Sequence, residues 1–311
     1  MTASPKIQGT LSAKNLKQHS TFYILLLPAV VLVFVFAYIP LFGLIVAFKD
    51  YDIWKGFWDS PWAANYGFAN IIKVVTDKNL LSSIGNTMLL SCLNLLICFP
   101  AQILLALLFN ELKLGAFKKV TQTISYMPYF ISWISVIGLC HVIFSDYGAV
   151  NDLLSAFIPG RSRVLYLSKQ DFFVPLLLGL NLWKTVGWGS IIYLSTITSI
   201  DPQLYEAAAV DGAGRFRQML NITLPGLSTT AVIMFILSIG SIFGSNFELV
   251  FGLQNAFIDF ETIDTVIYKG GLLQRGYGMA TALGFIRGLL ALGLTMGANF
   301  LSKKYNDVSV F

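Results

Sequence analysis

Six apolar blocks constrain what this chain can become. They cover about residues 21–48, 84–109, 120–144, 172–197, 228–247 and 279–301, and short polar stretches holding most of the charge separate them. A helix needs about 20 apolar residues to cross the hydrocarbon core of a bilayer, and inside that core every backbone N–H and C=O must find a partner within the protein. The expected fold is therefore all-α and membrane-integral, with six transmembrane helices. Composition agrees: 12% of the 311 residues are charged and 56% are hydrophobic, where a soluble domain carries about 25% charged residues. The first block is too long for a signal-peptide core and no cleavage site is evident, so it reads as an uncleaved span.

An even number of spans puts both termini on one side. Lys6, Lys14, Lys17, Lys113, Lys118, Lys119, Arg215, Arg217, Lys303 and Lys304 crowd that side, and an excess of Lys and Arg marks the cytoplasm. The expected layout is a cytoplasmic tail 1–20, a first span 21–48, an extracellular loop 49–83, a five-helix core 84–301 and a cytoplasmic tail 302–311. The net charge of +5 is spread over many stretches, which excludes a nucleic-acid patch and leaves membrane lipid as the surrounding partner.

The loop 49–83 gathers Trp54, Phe57, Trp58, Trp62, Tyr66 and Phe68. Such rings at a span end are interface anchors or a docking surface for an outside partner. The loop 248–278 begins acidic, with Glu248, Asp259, Glu261 and Asp264, and its length and position suit a reach into an external receptor. Cys92, Cys98 and Cys140 fall inside spans and read as small apolar residues, and His141 reads as structural. Phosphate-loop, dinucleotide, zinc-protease and serine-hydrolase motifs are absent. The chain is thus expected to be no enzyme and to hold no metal or cofactor. If ATP drives it, ATP and magnesium belong to another polypeptide.

Polar groups inside spans carry the rest, because hydrocarbon makes them costly. Asn181, Lys184 and Trp188 recur at i, i+3 and i+7. An amide, a cation and an indole on one face suit a sugar, by hydrogen bonds to hydroxyls and by ring stacking. The alternative is a structural bond between helices. Ser238, Ser241, Ser245 and Asn246 form a second strip, either along the substrate path or as small residues for close packing. Asn94 and Pro100 mark a polar, kinked second span, and Arg287 reads as an interhelical or cytosol-reaching group.

One polar interruption between spans has internal order. Asp201 and Pro202 are a helix start, Gly212 a helix stop, and a second short helix is expected from Gly214 to about Thr223, ended by Pro225. The stretch reads Glu206-Ala207-Ala208, then Gly212, then Ile222, Leu224 and Pro225. It resembles the EAA signature of permease subunits in binding-protein-dependent ABC importers. Stretches 40–51, 122–133 and 183–189 look like the polysaccharide subgroup of the maltose-importer-like branch, which includes alginate importers.

The resemblance implies the type I importer permease fold, with cytoplasmic EAA helices that couple to an ATPase through Glu206, Ala207, Ala208, Asp211, Gly212 and Arg215. It also implies a second permease subunit, two ATPases, an external solute-binding protein and an oligosaccharide substrate. The alternatives are a permease for a smaller solute, such as a monosaccharide or glycerol phosphate, or an ion-coupled secondary transporter. The last needs an intramembrane carboxylate, and no predicted span holds one.

Overall fold

The computed structural model describes residues 20–112, 114–158, 160–244 and 246–306. Residues 1–19 and 307–311, most of the two predicted tails, lie outside the described residues, as does Ser245. The described residues are helical, with a single isolated β-bridge between Lys49 and Trp62.

Helix α1 runs Thr21–Phe48. It widens into a π turn at Phe34–Tyr38 and then tightens into 3-10 geometry over Ile39–Phe48. Its side chains are exposed almost throughout, and only its last turns reach the bundle, where Val46 and Ala47 are buried. Helix α2, Lys78–Glu111, starts six residues before the apolar block. The Asp77 carboxylate accepts from the N–H groups of Asn79 (2.8 Å) and Leu80 (3.4 Å) and so caps it. The helix continues through Pro100 to a length of about 51 Å.

The third block is not one continuous helix. Helix α3, Gly115–Tyr126, passes into a 3-10 turn, Met127–Phe130, and then gives way to α4, Trp133–Ile143, at an angle of 97°. Pro128 lacks an N–H, the backbone is extended at Ile131 and Ser132, and Ser132 Oγ accepts from Ser135 N (3.2 Å) to begin a new helix. Helix α5, Gln170–Ser199, is followed by the short α6, Pro202–Val210.

The expected break at Pro225 is also absent. Helix α7 runs unbroken over Arg215–Gly240, past the proline, and stops seven residues short of the predicted span end. A π turn at Met219–Thr223, in which Leu224 N–H donates to Met219 O, takes up the register change that a residue without an N–H imposes. Helix α8, Tyr277–Asn306, closes the fold.

Among the described residues, α1, α2, α7, α8 and the bent pair α3–α4 are long and apolar enough to cross a membrane. With 30 residues, α5 is long enough at about 45 Å, but its polar middle suits the centre of a bundle better than lipid. It packs along α2, with core clusters near both ends. Tyr193, Ile197, Ala106, Leu107 and Leu227 meet at the α6 end, and Leu90, Leu177, Val136, Cys140 and Leu249 toward the other.

The stretch 247–276 does not reach away from the molecule. It folds back into the far end, where Ile263, Thr262 and Thr265 are fully buried. Ile263 N–H donates to Thr87 Oγ1 (2.9 Å), and Asn86 Nδ2 donates to Glu261 O (3.0 Å). Two of its four acids are used internally: Glu261 pairs with Lys269 at 2.6 Å, and Asp264 pairs with Arg287 of α8. Arg287 is thus interhelical. A carboxylate does enter the bundle, on this folded-back segment rather than on a predicted span, and a guanidinium neutralises it.

Candidate functional site: a mid-bundle cavity and an exposed turn

Polar side chains meet where α2, α5 and the end of α7 converge. Asn94 lies at the middle of α2, and its Oδ1 accepts from Asn181 Nδ2 of α5 at 2.9 Å. Around this pair opens a cavity of about 210 Å³, lined by Ser91, Asn94, Cys98, Phe99 and Gln102 of α2, Asn181 of α5, and Ser238, Ser241, Gly244 and Asn246. Its polar groups are amides and hydroxyls, and none of the described residues that line it is charged. Gly189 lets Gln102 lie flat against α5; a Cβ there would stand 2.2 Å from the Gln102 side chain.

The break in α7 builds one wall. The helix ends at Gly240, and the next begins at Phe247, capped by Asn246, whose Oδ1 accepts from Leu249 N (3.3 Å). An interrupted helix opens its backbone only where it lines a cavity or is buried in protein. A second cavity of about 310 Å³ shares Ser241 and Gly244 with the first and has Arg287 in its wall.

The structure thus gathers four of the predicted path residues, Asn181, Ser238, Ser241 and Asn246, around one space. It turns Lys184 and Trp188 elsewhere. Lys184 is buried, and its Nζ donates to the backbone carbonyls of Tyr129 (3.1 Å) and Ile131, while Trp188 stacks on Tyr129. A helix face spans more arc than one cavity, so residues that share the face need not share the space. Missing from the sequence reading were Ser91 and Gln102. With Asn94 and Cys98 they recur at 91, 94, 98 and 102, a polar stripe at helical period in an apolar block.

The second region is the turn after α5. Asp201 Oδ1 accepts from Gln203 N (2.9 Å) and Pro202 takes the first helical position. At the other end Ala213 N–H donates to Ala208 O (2.8 Å) and Gly212 N–H to Ala209 O (3.1 Å). That pair of bonds is a Schellman stop, which needs a left-handed residue between them, and Gly212 has φ +76°. No residue of α6 is buried. Two side-chain contacts tie this region to the bundle: Tyr205 Oη to Thr223 Oγ1 at 2.9 Å, and Arg215 to Glu111 at 3.8 Å. Glu206, Ala207, Asp211, Gly212 and Arg215 are exposed and Ala208 half-buried, beside the exposed apolar Val210 and Phe216.

Residues 74–303 match the family described as binding-protein-dependent transport system inner membrane component. The chain belongs to this family. It is therefore a multi-pass permease of the plasma membrane. It is 39% identical over 300 residues to the polygalacturonan/rhamnogalacturonan transport system permease protein YteP of Bacillus subtilis (strain 168), covering 96% of this chain and 92% of that one. It is 36% identical over 299 residues to protein LplB of the same organism, covering 95% and 92%. The fold superposes on a chain from the crystal structure of a bacterial ABC transporter involved in the import of the acidic polysaccharide alginate. The TM-score is 0.86 at 36% identity, covering 94% of this chain and 98% of that chain.

Proposed function

We propose that this permease forms half of the translocation pathway of an ATP-driven importer for oligosaccharides or polysaccharide fragments, acidic ones included. The observation that carries the reading is the neutral, amide-rich cavity at the break in α7. Asn94, Asn181, Gln102 and the serines offer paired donors and acceptors that match sugar hydroxyls, and Phe99 offers a ring face. YteP belongs to a polygalacturonan/rhamnogalacturonan transport system and the similar solved structure to a transporter involved in alginate import, which favours acidic glycans.

In this reading the chain pairs with a second permease subunit, two ATPases that hold ATP and magnesium, and an extracellular solute-binding protein. It contributes no catalytic group of its own. Six crossings, with α5 as the central one, leave both termini and the α6 turn in the cytoplasm. There α6 is the ATPase handle. A nine-residue helix with no buried residue is marginal alone, and its small Ala207 and Ala208 let a partner approach closely.

Uptake of labelled galacturonan, alginate and neutral glucan oligosaccharides by cells carrying the assembled transporter tests this. Deleting the permease abolishes uptake of at least one of these glycans, and Asn94→Ala or Asn181→Ala raises KM about threefold to tenfold, the loss of one or two net hydrogen bonds. Deletion that leaves uptake of every glycan unchanged would refute the reading.

A further inference from the structure

We propose that the elbow between α3 and α4 is a hinge of the transport cycle, and that Lys184 and Trp188 are the positioning residues that pin it. At the elbow the helix turns through 97° and the backbone is extended at Ile131 and Ser132. Such a turn frees carbonyls from helical partners, and at membrane depth freed groups must be satisfied by protein. Lys184 Nζ satisfies two of them, Tyr129 O and Ile131 O, with the Trp133 ring 4.9 Å away as a third neighbour. An ammonium group has three donors, so a lysine can hold both strands of a turn at once. Its relative exposure is 6%, which leaves no approach for a solute.

One turn further along α5, Trp188 lies parallel to Tyr129, with ring centroids 4.6 Å apart and planes 6° apart, and meets Phe130 edge-on at 5.5 Å. Gly187 sits between the two residues, and a Cβ there would fall 1.9 Å from Ser125 O. Cation, glycine and indole therefore make one fitted seat for residues 125–131.

The two arms differ in how they are held. In α4, Val136 and Cys140 belong to the far-end core, whereas α3 has no buried residue. The chain enters α3 just after Glu111, which contacts Arg215 beside the α6 turn. A displacement at that turn thus reaches an arm with no fully buried residue, held against α5 near Ser125, and the seat on α5 fixes the point about which that arm swings. Two discrete arrangements about one pivot are what coupling between distant sites requires.

The test places nitroxide labels at Phe117→Cys on α3 and Leu139→Cys on α4, both exposed. It uses the assembled transporter with Cys92, Cys98 and Cys140 changed to alanine. Distances are measured without nucleotide and after trapping with ATP and vanadate. The wild-type distance shifts on trapping. In Lys184→Met the resting distribution broadens about twofold and the shift is lost, whereas Lys184→Arg, which keeps its donors, follows the wild type. Where Lys184→Met does not accumulate in the membrane, Trp188→Leu gives the same comparison. A full shift with wild-type width in Lys184→Met or Trp188→Leu overturns the inference. So does a wild-type distance that stays fixed. Because the labels report without any glycan, an immobile elbow in a transporter that still takes up its glycan defeats the hinge and leaves the transport reading intact.

Discussion

Helices α5 and α6 follow one another in sequence and share almost nothing in how they are held. The first is sheathed: Gly187 admits the backbone of α3, Gly189 admits Gln102, and Lys184, Ser190 and Tyr193 are buried. The second has no fully buried residue and is held by its caps and by the Tyr205–Thr223 hydrogen bond. Substitutions in α5 therefore act through packing, and substitutions at α6 act through what comes to meet it.

The sharpest way to break that contrast is at the two glycines. Gly187→Val puts carbon atoms onto the Ser125 carbonyl, where a Cβ alone would stand at 1.9 Å. Backbone cannot give way as a side chain can, so a loss of about 3 kcal/mol or more is expected. It should be read as reduced membrane accumulation and a lowered melting temperature of the purified protein. Gly212→Val meets no atom within 4 Å but must hold φ +76°, a strain of about 1–3 kcal/mol. Accumulation should stay near normal while uptake falls about tenfold, as the cap loosens. If the two variants exchanged phenotypes, the contrast would be wrong. The smallest effect belongs to Glu111→Gln. Its 3.8 Å pair with Arg215 is half-exposed on both sides, so a thermal-stability change worth under about 1 kcal/mol is expected.

The same contrast explains what the sequence made legible. The α6 turn is written in neighbours: Asp201, Pro202 and Gly212 each act within four residues, so cap chemistry located it. The helices were legible as apolar blocks, although Asp77 starts α2 earlier than hydropathy implied. The bend at Ile131–Ser132 was hidden inside a continuous apolar run. The path of α7 past Pro225 was hidden because a π turn can carry a helix where proline rules say stop. The cavity was half legible. Asn181, Ser238, Ser241 and Asn246 stand out as polar groups, but which of them share a space depends on three segments meeting. Nothing in the spacing of Asn181, Lys184 and Trp188 tells that Lys184 is spoken for by carbonyls more than fifty residues away.

The folded-back segment also sets a rule for how this end of the molecule can diversify. Asp264 and Arg287 cancel one another inside the wall, the former 18% and the latter 31% exposed at the side chain. Removing either takes away the charge that offsets the other in a poorly solvated place, whereas losing both in favour of apolar groups of like size can be nearly neutral. Relatives should therefore carry this couple whole, reversed or not at all.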